Sequence, residues 1–336
     1  MTRQILRFDE NVGVRMLPGL QLRTRQGPDA YLMRTNQAGF RSKELSPAPP
    51  DGVRRVLLFG DSFTEGVGVS DGKRFGDLLE ALVPDVEVLN FGVRATGTDQ
   101  QFLYFREVAP ELEYDLVIVG LYTGDILRNH SKYGVLMTAE GEHFEKPYFQ
   151  LDDGDLALHN VPVPRAAADY GSLDRSERDR VYHAGLKYRL RLAVRYFAPW
   201  AKPLLQRVTR YQPAPYLKSA DHPAWTLTRA ILDQWAAEAS APLMVLSIPP
   251  YQYVEGTASA APYEARFGEL AGQSAFTVHD TLGDLRAAAR REGKAAIRIP
   301  RDAHYNGAGH RVIAESMAST VARLLDDSAP RTGDAA

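Results

Sequence analysis

The chain contains no cysteine. That absence excludes disulfides, thiolate catalysis and cysteine-ligated zinc or iron–sulfur centres together, and it fits a reducing compartment. Charge of one sign is equally lacking. The 40 basic residues stand against 42 acidic ones, a net charge of −2, so no overall field draws the chain to nucleic acid or to an anionic membrane. Long apolar runs are missing as well. No stretch approaches the roughly 18 apolar residues of a membrane-spanning helix. The opening Met1-Thr2-Arg3-Gln4-Ile5-Leu6-Arg7-Phe8 lacks the apolar core of a secretory signal, and a cytoplasmic location is the expectation. No Walker loop or Gly-x-Gly-x-x-Gly follows an apolar run, which argues against nucleotide binding. No cofactor, metal or nucleic-acid partner is expected. At 336 residues, 44% hydrophobic and 24% charged, the chain has the composition of a soluble globular protein of one large or two modest domains.

What is present is a rhythm. Residues 1–50 are polar and rich in proline and glycine, with short strands expected at 21–25 and 31–35 and a turn at 36–39; they read as an N-terminal extension packing on the core. Pro47-Ala48-Pro49-Pro50-Asp51-Gly52 reads as a linker. Strands at 53–59, 86–91 and 116–121 then alternate with helices at 74–82 and 99–108, the second capped by Thr98. Such alternation argues for a parallel sheet with helices on both faces. The pattern breaks near residue 130 and returns with a helix at 224–239, a strand at 243–248, helices at 263–272 and 282–291, and a last helix at 308–325. Residues 51–130 and 223–328 therefore read as one core and 329–336 as a disordered tail. Residues 131–222 read as a mostly helical insertion or lid. Within it, 180–210 carries eight Lys/Arg and no acid, interleaved with aromatics. This is either a solvated basic face over an aromatic underside, or a substrate funnel, lid or membrane-surface helix.

Two segments carry chemistry. Val56-Leu57-Leu58-Phe59 ends abruptly at Gly60-Asp61-Ser62. A buried strand followed by a polar turn puts the Ser62 hydroxyl at the carboxyl end of a sheet strand, where open α/β proteins hold their ligands. Serine alone is a weak nucleophile and needs a base. Far along the chain stands Arg301-Asp302-Ala303-His304-Tyr305-Asn306-Gly307. In an extended segment Asp302 and His304 point the same way, so the carboxylate can hold one imidazole tautomer and stabilise the imidazolium. Asn306-Gly307 then opens a helix. The alternative for Ser62 is a helix cap or a serine turn; for Asp302 and His304 it is a loop turn. Asp61 is expected to brace the turn. Gly68-Val69-Ser70-Asp71-Gly72 matches Gly-x-Ser-x-Gly, but no strand runs straight into it. His310, which with Asp302 and His304 makes a metal set on paper, reads as a surface or cap residue. Tyr251 and Tyr253, beyond the Ile248-Pro249-Pro250 strand exit, either line the pocket or pack.

On these residues the chain resembles the SGNH (GDSL-type) hydrolases, in the branch of polysaccharide- or secondary-metabolite-locus esterases and acyltransferases. Gly60-Asp61-Ser62 matches the first block, Asn90-Phe91-Gly92 the second, Gly120-Leu121-Tyr122-Thr123-Gly124-Asp125 the third, and Asp302–His304 the last. Arg34-Thr35-Asn36-Gln37-Ala38-Gly39-Phe40-Arg41 looks like the lead-in of that branch. The resemblance covers about residues 53–130 and 236–325. It implies a three-layer α/β/α sandwich with a five-stranded parallel sheet in flavodoxin-like order. It also implies an esterase or deacetylase working through an acyl-enzyme on a small O-acyl substrate, a glycan or sugar-bearing metabolite. Ser62 would be the nucleophile, His304 the base and Asp302 its orienting acid. The backbone amides of Ser62 and Gly92 would form the oxyanion hole. The family's third block reads Gly-x-Asn-Asp, and Gly124 occupies the asparagine position, so a third donor would come from the Gly124 amide or from Asn129. An O-acyltransferase with the same triad, or a non-catalytic carbohydrate- or partner-binding module, are the alternative functions.

Overall fold

A computed structural model describes residues 5–134, 144–165, 210–273 and 275–327, together with 204, 206 and 208. Two antiparallel hairpins come first: β1 (Leu6–Asp9) with β2 (Gly13–Met16), and β3 (Gln21–Gln26) with β4 (Asp29–Arg34). The alternating core follows: β5 (Arg54–Gly60), α1 (Ser62–Glu65), α2 (Phe75–Leu82), β6 (Val86–Asn90), α3 (Thr98–Val108), β7 (Leu116–Tyr122) and α4 (Thr123–Asn129). Thr98, expected to cap α3, is instead its first residue, because the helix begins one residue earlier, with the Gln101 amide bonded to Gly97 O at 3.1 Å. After an interruption come α5 (Pro223–Glu238), β12 (Leu243–Ile248), α6 (Tyr251–Val254), α7 (Ala261–Gln273), β13 (Thr277–Asp280), α8 (Leu282–Glu292) and α9 (Gly307–Asp327).

Five strands form one parallel sheet in the order β6-β5-β7-β12-β13. Parallel strands covered on both faces read as unbroken apolar runs, and Val56, Leu57, Leu58 and Phe59 are all fully buried. Alternate side chains of β5 serve opposite layers. Leu58 lies under Gly76 of α2, while the Phe59 ring meets Trp235 of α5 at 5.3 Å and Phe105 of α3 at 5.9 Å. Helices α2, α8 and α9 thus cover one face, and α3 and α5 the other. This is the flavodoxin-like order expected from the sequence.

The described residues 131–134 and 144–165 depart from the expectation of a mostly helical insertion. They form two short antiparallel pairs, β8 (Tyr133–Gly134) with β9 (Phe144–Glu145) and β10 (Tyr148–Asp152) with β11 (Asp155–His159). The physical reason is local. Asp153 and Gly154 both adopt positive φ, 52° and 98°, the two-residue turn that matches the twist of a hairpin. The basic aromatic stretch 180–210, apart from 204, 206, 208 and 210, and the tail 329–336 lie outside the described residues. Among the described residues no helix is long and apolar enough to cross a membrane.

His310 is not at the surface, and the helix end that it caps is that of α2 and not its own. It is 1% exposed, its ring stacks on Phe75 at 5.5 Å, and its Nδ1 accepts the Phe75 amide at 3.1 Å. That amide opens α2 and has no partner within its own helix, so the buried imidazole supplies one and joins α9 to α2. Burial, with Arg41 and Arg74 nearby, pushes the His310 pKa down to about 3 from 6.5. Below pH 6.5 the unfolded chain therefore takes up a proton that the folded chain refuses, and stability falls on acidification by up to about 1.4 kcal/mol per pH unit. Between pH 7 and 4.5, urea unfolding should show wild type losing about 2–3 kcal/mol more stability than His310→Gln; equal losses would contradict this account.

Candidate active site

Gly60 and Gly120 pair across β5 and β7. A Cβ on Gly60 would lie 2.0 Å from Thr64 Oγ1, and one on Gly120 would lie 2.4 Å from the same atom. Bare backbone on both strands leaves room for Thr64, so the chain turns from β5 directly into α1. Asp61 braces that turn as expected: its Oδ1 accepts the Phe63 amide at 2.9 Å and its carbonyl the Glu65 amide at 2.9 Å. Ser62 is the first helical residue, with its amide among those a helix leaves unpaired.

The second half of the site is a tight loop ahead of α9. Ile299 N bonds His304 O at 3.0 Å and Asn306 N bonds Ile297 O at 3.1 Å. Asn306 Oδ1 caps the helix through the amides of Ala308 and Gly309 at 3.0 and 3.1 Å. Tyr305 donates its hydroxyl to Pro249 O at 2.7 Å, tying the loop to the exit of β12. Asp302 and His304 are brought together, although the chain there is bent and not extended. Asp302 Oδ1 accepts both the His304 amide, at 2.9 Å, and His304 Nδ1, at 2.5 Å. One oxygen thus sets backbone and ring at once. The other face of the ring completes the series: His304 Nε2 lies 2.8 Å from Ser62 Oγ. The Phe63 ring lies 4.8 Å from the imidazole and 4.3 Å from Tyr122, forming an apolar floor. Asp302 Oδ2 accepts Gln26 Nε2 at 2.7 Å, from the end of β3. Burial opposes the Asp302 charge, but the hydrogen bonds and charge of His304, with that of Gln26, outweigh it and hold the carboxyl well below its usual range.

The expected oxyanion donors are brought together only in part. Gly92 N–H is directed to Asn90 Oδ1 at 2.9 Å, because the Asn90 side chain folds back to donate to Thr64 O at 2.8 Å. Asn129 does not reach in. Its Nδ2 donates to Thr228 Oγ1 at 2.8 Å and its Oδ1 accepts the Asp99 amide at 3.1 Å, so it joins α3, α4 and α5. Gly124 lies in the first turn of α4, where its amide has no intrahelical partner. A Cβ on Gly124 would lie 2.5 Å from the Tyr122 ring, which explains why no asparagine stands there.

Sequence reasoning missed two neighbours. Gln26 lies 276 positions from its partner, and nothing in its surroundings singles it out. Arg128 was legible in principle, one helical turn after Asp125. Its Nη1 donates to Asp61 Oδ2 at 2.8 Å and also to Asp125. Burial and the like charge of Asp61 push the Asp125 carboxyl well above its usual range, against Arg128 and Gln101. Ser70 stands apart from the triad, with its Oγ accepting the Leu32 amide at 3.1 Å. Tyr253 is buried, with its hydroxyl 3.2 Å from Gln212 Oε1, and Tyr251 packs under Arg298.

The parallel sheet with its serine turn at the carboxyl edge is the three-layer α/β architecture in flavodoxin-like order that was expected above. Among solved structures the chain is similar to a member of the lipolytic protein G-D-S-L family from Veillonella parvula DSM 2008, at 15% identity over 81% of this chain and 100% of that one, with a TM-score of 0.43. It is similar to LAE5, an alpha/beta hydrolase enzyme from the metagenome of Lake Arreo, Spain, at 13% identity over 80% and 95%, with a TM-score of 0.44. It is also similar to Axe2, an acetylxylan esterase from Geobacillus stearothermophilus, at 12% identity over 80% and 94%, with a TM-score of 0.41. No family model matches the chain, and no curated protein matches it.

The Gln26 contact has a measurable consequence. A hydrogen bond to a carboxylate contributes about 1.5–3 kcal/mol, and Asp302 stabilises the fold while ionised. Its depressed pKa makes that contribution complete above the unfolded value of 3.8 and lost on further acidification. Gln26→Leu should therefore cost about 1.5–3 kcal/mol in urea unfolding at pH 7, with the deficit shrinking below pH 3.8. A deficit independent of pH would assign Gln26 to packing alone.

Proposed function

We propose that the chain is a serine ester hydrolase acting through an acyl-enzyme on a small O-acyl substrate. The observation that carries this reading is the unbroken hydrogen-bond series Ser62–His304–Asp302 at the carboxyl edge of the sheet. With Nδ1–H donated to Asp302, Nε2 is the basic nitrogen and faces the hydroxyl it must deprotonate. Ser62 Oγ attacks the ester carbonyl carbon while its proton passes to His304 Nε2, and the carbonyl π pair moves onto oxygen. Collapse of that intermediate expels the alcohol oxygen, which takes the proton from Nε2. Water then repeats the sequence on the acyl-enzyme and releases the acid. Asp302 stabilises the imidazolium in both halves. The first-turn amides of Ser62 and Gly124 offer N–H groups to the developing oxyanion. The alcohol is assigned to a glycan or sugar-bearing metabolite on the resemblance of residues 34–41 to the polysaccharide-locus branch.

The test is steady-state hydrolysis of p-nitrophenyl acetate. Ser62→Ala or His304→Ala should lower kcat by about 10⁴–10⁶-fold, and Asp302→Asn by about 10⁴-fold. Hydrolysis that is unchanged in Ser62→Ala or His304→Ala sinks the reading.

A further inference from the structure

We propose that Arg128 is a catalytic residue that donates to the oxyanion the N–H groups that no other described residue accepts, in place of a side chain at position 124; this rests on the serine-ester reading above. Three observations meet here. First, position 124 cannot carry a donor side chain while Tyr122 stacks on Phe63, because a Cβ there would overlap the Tyr122 ring. Second, Gly92 N–H and the Asn129 amide are bonded to Asn90 and Thr228, so neither faces the reacting carbonyl. Third, Arg128 stands beside the nucleophile. Asp61 Oδ2, which accepts Arg128 Nη1 at 2.8 Å, also lies 3.4 Å from Ser62 Oγ. The guanidinium and the reacting hydroxyl share one carboxylate oxygen.

The orientation of Arg128 fits the role. Its hydrogen bonds among the described residues, to Asp61, Asp125 and Thr96 O, all use Nη1, which leaves Nη2 and Nε to donate elsewhere. The Asp61 and Asp125 side chains are wholly buried, whereas that of Arg128 is 33% exposed. Two carboxylates hold one end of the fork, and the rigid plane then fixes where the free N–H groups point. As Ser62 Oγ bonds to the carbonyl carbon and the π pair moves onto oxygen, the new charge meets N–H groups already oriented. A preorganised donor of this kind acts on the transition state and not on bound substrate.

The test compares Arg128→Lys, Arg128→Gln and the double variant Asp125→Asn/Arg128→Gln, which leaves less buried charge unpaired, using p-nitrophenyl acetate and the corresponding thionoester. Thionoester sulfur accepts hydrogen bonds weakly, so loss of an oxyanion donor penalises the ester more. In the Gln variants kcat for the ester should fall about 10²–10³-fold with KM nearly unchanged. The thionoester should lose much less, and Arg128→Lys should recover part of the rate. Folded variants whose kcat stays within about threefold of wild type, or which lose ester and thionoester turnover equally, overturn the proposal; equal loss would assign Arg128 to holding Asp61. If the substitutions unfold the chain, a crystal structure of the wild-type boronate adduct on Ser62 decides. An Arg128 N–H bonded to the boronate oxygen supports the role, and a guanidinium turned away from it refutes it. Wild-type protein that neither turns over ester nor captures boronate at Ser62 would instead refute the serine-ester reading itself, and the Arg128 role with it.

Discussion

The site depends on the close approach of two glycines. Where Gly60 and Gly120 face each other across β5 and β7, no side chain separates the strands from Thr64. That space lets the chain leave β5 and start a helix at once, which fixes Ser62 at the first helical position and turns both oxygens of Asp61 to use. One oxygen caps the helix and the other receives Arg128. The nucleophile is thus placed by backbone geometry at the carboxyl end of an interior strand, a rigid setting for a group that must meet its base within hydrogen-bond reach.

The base arrives from 242 positions away and is held by contacts of several kinds. The Phe63 ring supports the imidazole, Tyr305 ties the loop to β12, and Asn306 starts the helix that anchors its far end. The N-terminal residues take part too. Gln26 reaches Asp302, and buried Arg41 donates to the carbonyls of Leu32, Glu65, Gly66 and Val69 around the segment that follows α1. Residues far apart in sequence therefore converge on the serine–imidazole contact, and disturbing any of them should be felt there.

The legible parts of this arrangement share a property: each signal is local. The apolar run 56–59, the Gly-Asp-Ser turn, the Asp-x-His spacing and the helix start at Asn306 can all be read within a few residues, and the structure brings them together. Edge strand β13, Thr277-Val278-His279-Asp280, is short and mixed in polarity, so its periodicity is too weak to separate it from a loop. Strands β1 and β2 are hidden in the same way, four residues each with charges interspersed. The donors around the oxyanion were misjudged for a different reason. Whether the Asn129 amide is free depends on Thr228, a partner that only the folded chain brings near, and Gly92 N–H turns to Asn90 Oδ1 within its own block, a bond that the residue match alone does not reveal. His310 is the same case, since its burial follows from the docking of α9 on α2.

The central claim is that Ser62 is a nucleophile activated by His304. Intact-protein mass spectrometry after treatment with a fluorophosphonate, followed by peptide mapping, tests it most directly. The account predicts a single phosphonyl adduct on the peptide carrying Ser62, absent in Ser62→Ala and formed far more slowly in His304→Ala. No adduct, an adduct on another residue such as Ser70, or labelling equally fast without the imidazole would contradict it.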